Sequence, residues 1–297
     1  MANIGFIGLG QMGFPMVCNL LKKNHAVSVF DIDCEVVKKV TNLGAVAKNS
    51  PREAASGADF VITMLPNGQL VESVIFDEQG VIHTLSDDAL LIDMSTIHPL
   101  ESEKIRQRLE ANGKQFMDAP VGRTSEHAVT GDLLILAGGT DEQIDRANDV
   151  LLCMGNEVVR AGGPGMGIAI KLVNNFMSAA LNALSGEAVV LSEKLGLRYE
   201  TVEKVFSGTP AGKGHFTTTW PNKLLKGDLS PVFMLGLAQK DLGIVMDVAS
   251  KLNMPMPMGA AATMLYTQAK AHGREKQDWT AIVEEIRDAA AVPSKIN

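Results

Sequence analysis

Apolar residues come in short, nearly unbroken runs through the first half of the chain. The run Asn3-Ile-Gly-Phe-Ile-Gly-Leu9 breaks at glycines, and helically spaced apolar positions follow from Met12 to about Lys23. Further runs lie at 26–30, 59–64, 89–94, 115–118, 133–137 and near 157–160. Helical spacing marks the stretches 34–43 and 51–56 between them. Strands that are apolar on both sides are buried on both faces, and their alternation with helices predicts an α/β fold. Its parallel, doubly wound sheet would carry helices on each side.

The pattern changes at the loop Ala161-Gly-Gly-Pro-Gly-Met-Gly167. From about Ile168 to Leu195 the spacing is helical without a proline, too long for an ordinary surface helix. More helices are predicted at 199–207, 232–252, 257–272 and 278–290, with 208–231, rich in Gly, Thr and Pro, as a loop region. Two domains are expected, residues 1–163 and an all-helical 164–297, with the long helix joining them.

Composition narrows the function classes. With 46% hydrophobic and 21% charged residues the chain can bury a sizeable core. A net charge of −7 disfavours nucleic acid and anionic membranes as partners. The three cysteines, Cys18, Cys34 and Cys153, show neither disulfide nor metal-ligand spacing, and His98, His127 and His215 lie far apart; no metal site is expected. The N-terminus does not read as a signal peptide and no run reaches membrane-span length, so a soluble cytoplasmic protein is predicted.

Gly8-Leu-Gly10-Gln-Met-Gly13 follows a strand and opens a helix, and Asp31 ends the next strand. That context makes the motif a dinucleotide cradle. The first glycine permits the turn, the second lets the backbone approach a pyrophosphate, and the third packs helix on strand. A carboxylate at Asp31 would accept hydrogen bonds from ribose hydroxyls and repel a 2′-phosphate, favouring NAD(H) over NADP(H). A helix-capping role is the alternative for Asp31. The turn Leu65-Pro66-Asn67 and the pair Ser95-Thr96 each follow a strand, where loops of a parallel sheet wall a ligand site.

Two cations carry the remaining chemistry. Lys171 shares a helical stripe with Asn174, Asn175 and Ser178, with Leu172, Val173, Phe176 and Met177 apolar between them. More than one face of this helix is therefore expected to be covered. A lysine ammonium there could protonate an alkoxide as hydride reaches a carbonyl; a solvated stripe is the alternative. Arg123, in Asp118-Ala-Pro-Val-Gly-Arg-Thr-Ser125, offers a planar fork to a carboxylate, phosphate or sulfonate. Arginines on turns also serve as surface ion-pair partners.

Taken together, GFIGLGQMG, the MLPN turn, IDMSTIHP, DAPV with Ala128, Gly131 and Leu133, and the helix segment KLVNN resemble the β-hydroxyacid dehydrogenase family over essentially the whole chain. The resemblance implies a Rossmann domain, a helical domain built around a long interdomain helix, and assembly into homodimers or homotetramers. It implies that Lys171 is the catalytic lysine with Asn175 as its neighbour. Gln11, Met12 and Thr96 would touch the cofactor, and Lys240 would border nicotinamide and substrate. Members acting on ordinary 3-hydroxy acids read DAPVSGG; this chain reads Gly122-Arg123-Thr124 in place of Ser-Gly-Gly. The departure implies a small anionic aldehyde held by Gly122, Arg123, Thr124 and the segment Asn174-Asn175-Phe176-Met177-Ser178. Within the family the chain is similar to the branch acting on a sulfonated three-carbon aldehyde, with succinic semialdehyde as the alternative. A non-catalytic dinucleotide-binding scaffold is the remaining reading; the presence of Lys171 and both asparagines speaks against it.

Overall fold

The apolar runs become strands of one sheet in the computed structural model, which describes residues 1–294. The strands are β1 (Asn3–Ile7), β2 (Ala26–Phe30), β3 (Val46–Ala47), β4 (Phe60–Thr63), β5 (Leu90–Asp93), β6 (Gln115–Asp118), β7 (Val121–Gly122), β8 (Leu133–Gly138) and β9 (Gly155–Gly162). Their order begins β3-β2-β1-β4-β5-β6, all parallel, so the strand order reverses between β1 and β4. Ile4 and Phe6 join one apolar cluster with Ile62, Ile92 and Met117, while Ile7 joins a second with Val61, Leu91 and Phe116. That alternation buries both faces, which is why these strands read as continuous apolar runs.

The sheet is not parallel throughout. β8 runs antiparallel to β6 and β7 and parallel to β9. Between β7 and β8 the chain has only the helix Ser125–Thr130. Six residues of helix rise about 9 Å, too little to carry the chain back along the sheet for a parallel return. An apolar run does not encode its own direction, so the sequence did not reveal this reversal.

By packing, the chain divides into two units, Met1–Phe176 and the rest from Met177 onward. The long helix spans Met166–Lys194, so its opening turns, with Lys171, pack with the sheet. The second unit holds the helices Tyr199–Gly208, Leu235–Lys251, Pro257–Ala269 and Ile282–Ala289. The expected loop 208–231 contains a short helical turn, Pro210–Lys213, and two 3-10 turns, Trp220–Asn222 and Leu224–Lys226. The helix expected from 232 starts at Leu235 because Val232 and Phe233 donate their N–H groups to the Asp278 carboxylate, which holds them extended. Met254 and Met256 are buried beside Ala249 and fill the gap there. No helix of the described residues is long and apolar enough to cross a membrane.

Candidate active site

The loop after β1 is shaped by contacts that exclude side chains. Gly8 sits at φ +99°, and a Cβ there would lie 2.3 Å from the Met64 carbonyl oxygen. A Cβ on Gly13 would lie 1.9 Å from the Gly8 carbonyl oxygen, so loop and helix close on each other only with glycine at both ends. At Gly10 an added Cβ would meet no protein atom within 4 Å, so the backbone there is open to close approach. The helix Gly13–Lys22 begins without a side-chain cap; Phe14 N is taken by the Gly10 carbonyl at 3.1 Å and Pro15 has no N–H, so what the helix start offers an anion is chiefly its positive dipole end. A cavity of about 380 Å3 opens on this loop and takes in Gln11, Met12, Asp31, Leu65 and Pro66. Pyrophosphate on the loop and apolar walls beside Asp31 fit a dinucleotide.

Asp31 accepts from Leu9 N at 2.5 Å and from Asp33 N at 2.8 Å, tying the glycine loop to the end of β2. It is not a helix cap: Asp33 caps the helix Cys34–Thr41 by accepting from Glu35 N. Sequence reasoning did not single out Leu70 and Val74 or the apolar role of Ile32, which also line the cavity. Ile32 is 91% exposed, and an apolar residue at such a turn was the available signal. Ser95 Oγ accepts from Leu65 N at 2.9 Å, so the loops after β4 and β5 are joined. Below them Asp93 accepts from Thr63 Oγ1 at 2.8 Å and from Ser95 N at 3.1 Å. Burial pushes the Asp93 carboxyl up, against those hydrogen bonds. Thr96 stands exposed on the same loop and is not part of the cavity wall.

The second cluster gathers around β7. Lys171 Nζ donates to the Val121 carbonyl oxygen at 2.6 Å. A charge-assisted bond of this kind is worth about 1.5–3 kcal/mol. The ammonium is half-buried, and burial pulls its pKa below the usual lysine value. Val121 was not foreseen, because a backbone acceptor has no side-chain signature. Two residues further on, Arg123 adopts φ +73°, a left-handed conformation for a residue with a long side chain. Its Nη1 donates to the Asp132 carbonyl at 2.5 Å and to Asn156 Oδ1 at 3.1 Å. Thr124 Oγ1 lies 2.9 Å from His127 Nδ1. The structure thus brings Lys171, Gly122, Arg123 and Thr124 to one short segment.

Gly122 is not demanded by packing. A Cβ there would sit 3.4 Å from Leu134 Cβ, an ordinary contact, so the serine of the Ser-Gly-Gly pattern would fit. Arg123, in contrast, occupies a left-handed position where that pattern has glycine. Asn174 and Asn175 are exposed on the long helix, Asn174 Nδ2 facing Asn175 Oδ1 at 3.4 Å. The expectation that this helix is covered on several faces is corrected for the single chain: Val173 is 59% and Phe176 73% exposed. Met177 and Ser178 fall in the second unit, as does Lys240, which pairs with Asp241 at 2.8 Å.

With that geometry in view, the comparisons with known proteins are specific. Residues 3–163 match the model of the NAD binding domain of 6-phosphogluconate dehydrogenase. Residues 165–286 match the model for NAD-binding of NADP-dependent 3-hydroxyisobutyrate dehydrogenase. The chain belongs to the β-hydroxyacid dehydrogenase family. As a member it is an oxidoreductase that works with a nicotinamide dinucleotide. It is 57% identical to 3-sulfolactaldehyde reductase of Escherichia coli K12, over 100% of this chain and 99% of that protein. It is 35% identical to 3-hydroxyisobutyrate dehydrogenase of Pseudomonas aeruginosa, over 90% of this chain and 92% of that one. Among solved structures, 3-hydroxyisobutyrate dehydrogenase of Mycobacterium tuberculosis with L-serine aligns with a TM-score of 0.68 at 32% identity, covering 97% of this chain and 99% of that one.

The left-handed backbone of Arg123 makes a stability prediction. Arg123→Gly relieves about 1 kcal/mol of strain, so the variant is expected to unfold in urea at the same concentration as the parent or a higher one. A loss of more than about 1 kcal/mol would mean that the contacts to Asp132 and Asn156 outweigh the strain.

Proposed function

We propose that this protein reduces 3-sulfolactaldehyde to 2,3-dihydroxypropane-1-sulfonate with NADH. The observation that carries the reading is the pairing, on one short segment, of a half-buried lysine on the Val121 carbonyl with an arginine in a strained turn. A sulfonate stays ionised at neutral pH, so a permanent cation is a suitable receptor. Strain in the Arg123 backbone is maintained where glycine would fit better, which supports a functional demand on the side chain. The high identity to a 3-sulfolactaldehyde reductase along the full length supports the sulfonate over a carboxylate.

In this reading the 8–13 loop with Gln11 and Met12 holds the pyrophosphate, Asp31 the adenine-side ribose, and Leu65, Pro66 and Thr96 the nicotinamide half. Lys240 borders the nicotinamide. Bound there, the dinucleotide supplies the hydride. Asp31, followed by Ile32 and Asp33, repels a 2′-phosphate and offers it no cation, which supports NADH over NADPH. Arg123 anchors the sulfonate, with Gly122, Thr124 and the 174–178 segment completing the receptor. Its Nη1 is committed to Asp132 and Asn156, leaving the Nε–Nη2 edge to meet two anionic oxygens. Lys171 stabilises the developing alkoxide and gives up its proton to that oxygen. The exposed apolar side chains Val173, Phe176 and Met264 support a homodimer or homotetramer. Reduced, unpaired cysteines support a cytoplasmic location.

Lys171 must carry its proton to act as acid, and burial lowers its pKa. Reduction is therefore expected to decline as pH rises through a midpoint below the usual lysine value of 10.5. Lys171→Ala is expected to lose about 100- to 10,000-fold in kcat while NADH binding, read by fluorescence titration, is retained. Near-normal turnover in the variant would remove Lys171 from the role.

Substrate choice is read from initial rates with 3-sulfolactaldehyde and succinic semialdehyde side by side, each with NADH and NADPH. A kcat/KM preference of about a hundredfold for the sulfonate, close to 2.7 kcal/mol, is expected, together with a preference for NADH. Equal or better use of the carboxylate would make Arg123 a general anion anchor and overturn the sulfonate assignment.

A further inference from the structure

Asp118 ends β6 three residues before Val121, and it is 2% exposed. Its two carboxylate oxygens are both turned onto the start of the long helix. Oδ1 accepts from Gly165 N at 2.6 Å and Oδ2 from Ile168 N at 2.7 Å. The approach is close enough to exclude side chains: a Cβ on Gly167 would lie 2.8 Å from Asp118 Oδ2 and 2.2 Å from the Leu136 carbonyl oxygen. A Cβ on Gly138 would lie 2.6 Å from Asp118 Oδ1. Three residues beyond Ile168 the same helix sends Lys171 back to Val121. Segment 118–121 and segment 165–171 are therefore stapled twice, once by a carboxylate on backbone N–H groups and once by an ammonium on a backbone carbonyl.

Both staples bear on the same end of the long helix. Helical side chains lean toward the N-terminus, so Lys171 reaches toward the positively polarised end of its own helix, where a cation is disfavoured. Asp118 places a negative charge on that end. Burial is the cause that lowers Lys171, with no charged side chain contributing. The other charged groups on the neighbouring elements are Asp93, paired in register with Asp118, and Arg123 beyond β7. Burial raises Asp118, and the N–H groups of Ile168, Gly165 and Gly167 hold it back.

We propose that Asp118 is the positioning residue for the proton donor: its carboxylate fixes the first turn of the long helix, so that Lys171 is held on the Val121 carbonyl. The inference rests on Lys171 as proton donor, and Lys171→Ala assayed alongside reports on that reading separately.

The test is Asp118→Asn, which keeps the size and one acceptor oxygen and removes the charge. Turnover is expected to fall about tenfold to a hundredfold, with NADH affinity and substrate KM little changed. kcat and kcat/KM are expected to fall by the same factor, because the donor is misplaced in the reacting complex while ground-state binding is kept. A purely structural role would lower thermal stability and weaken NADH and substrate binding along with turnover; that result, or unchanged kcat, would overturn the proposal. If Asp118→Asn does not fold, Asp118→Ser, which retains a capping hydroxyl without charge, is read the same way. Failure of both to fold would also overturn the positioning role, leaving Asp118 a residue of the fold alone.

Discussion

The bond from Lys171 Nζ to the Val121 carbonyl, 2.6 Å long, is the contact on which the arrangement of the site depends. An ammonium with four methylenes is among the most mobile of side chains in water, and fixing it costs rotamer entropy. Here a backbone acceptor at the start of β7 holds it half-buried, and burial lowers its hold on the proton. The same strand segment leads directly into Gly122 and Arg123. The proposed proton donor and the proposed anion receptor thus meet at one piece of backbone.

The proposed anion receptor carries local strain. Arginine at φ +73° is held by the Asp132 carbonyl and Asn156 Oδ1, contacts on an exposed surface that are individually modest. The cofactor loop follows the opposite logic: Gly8 and Gly13 are required by backbone approaches of 2.3 Å and 1.9 Å to a would-be Cβ, and nothing there is strained by a side chain. One half of the site follows the general geometry of dinucleotide binding, and the other half carries what distinguishes this chain within its family.

How much of this was legible in the sequence follows from which features are local. The glycine spacing and Asp31 could be read directly, because turn, helix start and strand end sit within a single βαβ unit. The parallel pairing of β1, β2, β4, β5 and β6 in one doubly wound sheet followed from the alternation of apolar runs and helices, whereas the short β3 and the strand order did not. The reversal of β8 did not, because Leu133–Gly138 has the same apolar character in either direction. Lys171 was legible by its stripe, while its acceptor on Val121 was not, since a carbonyl leaves no mark in a sequence. Arg123 was legible as a cation replacing a glycine pattern, though its left-handed backbone appeared only in three dimensions. The apolar positions Val173 and Phe176 read as covered, yet the single chain leaves them exposed. A sequence records that a face is apolar without recording whether the chain's own fold covers it.

The most direct measurement is a crystal structure of the protein with NAD and 2,3-dihydroxypropane-1-sulfonate bound together. The account predicts the product hydroxyl at hydrogen-bonding distance from Lys171 Nζ, about 2.6–3.2 Å, with the sulfonate oxygens on the Arg123 guanidinium. A sulfonate bound away from Arg123, or a reacting hydroxyl out of reach of Lys171, would contradict it.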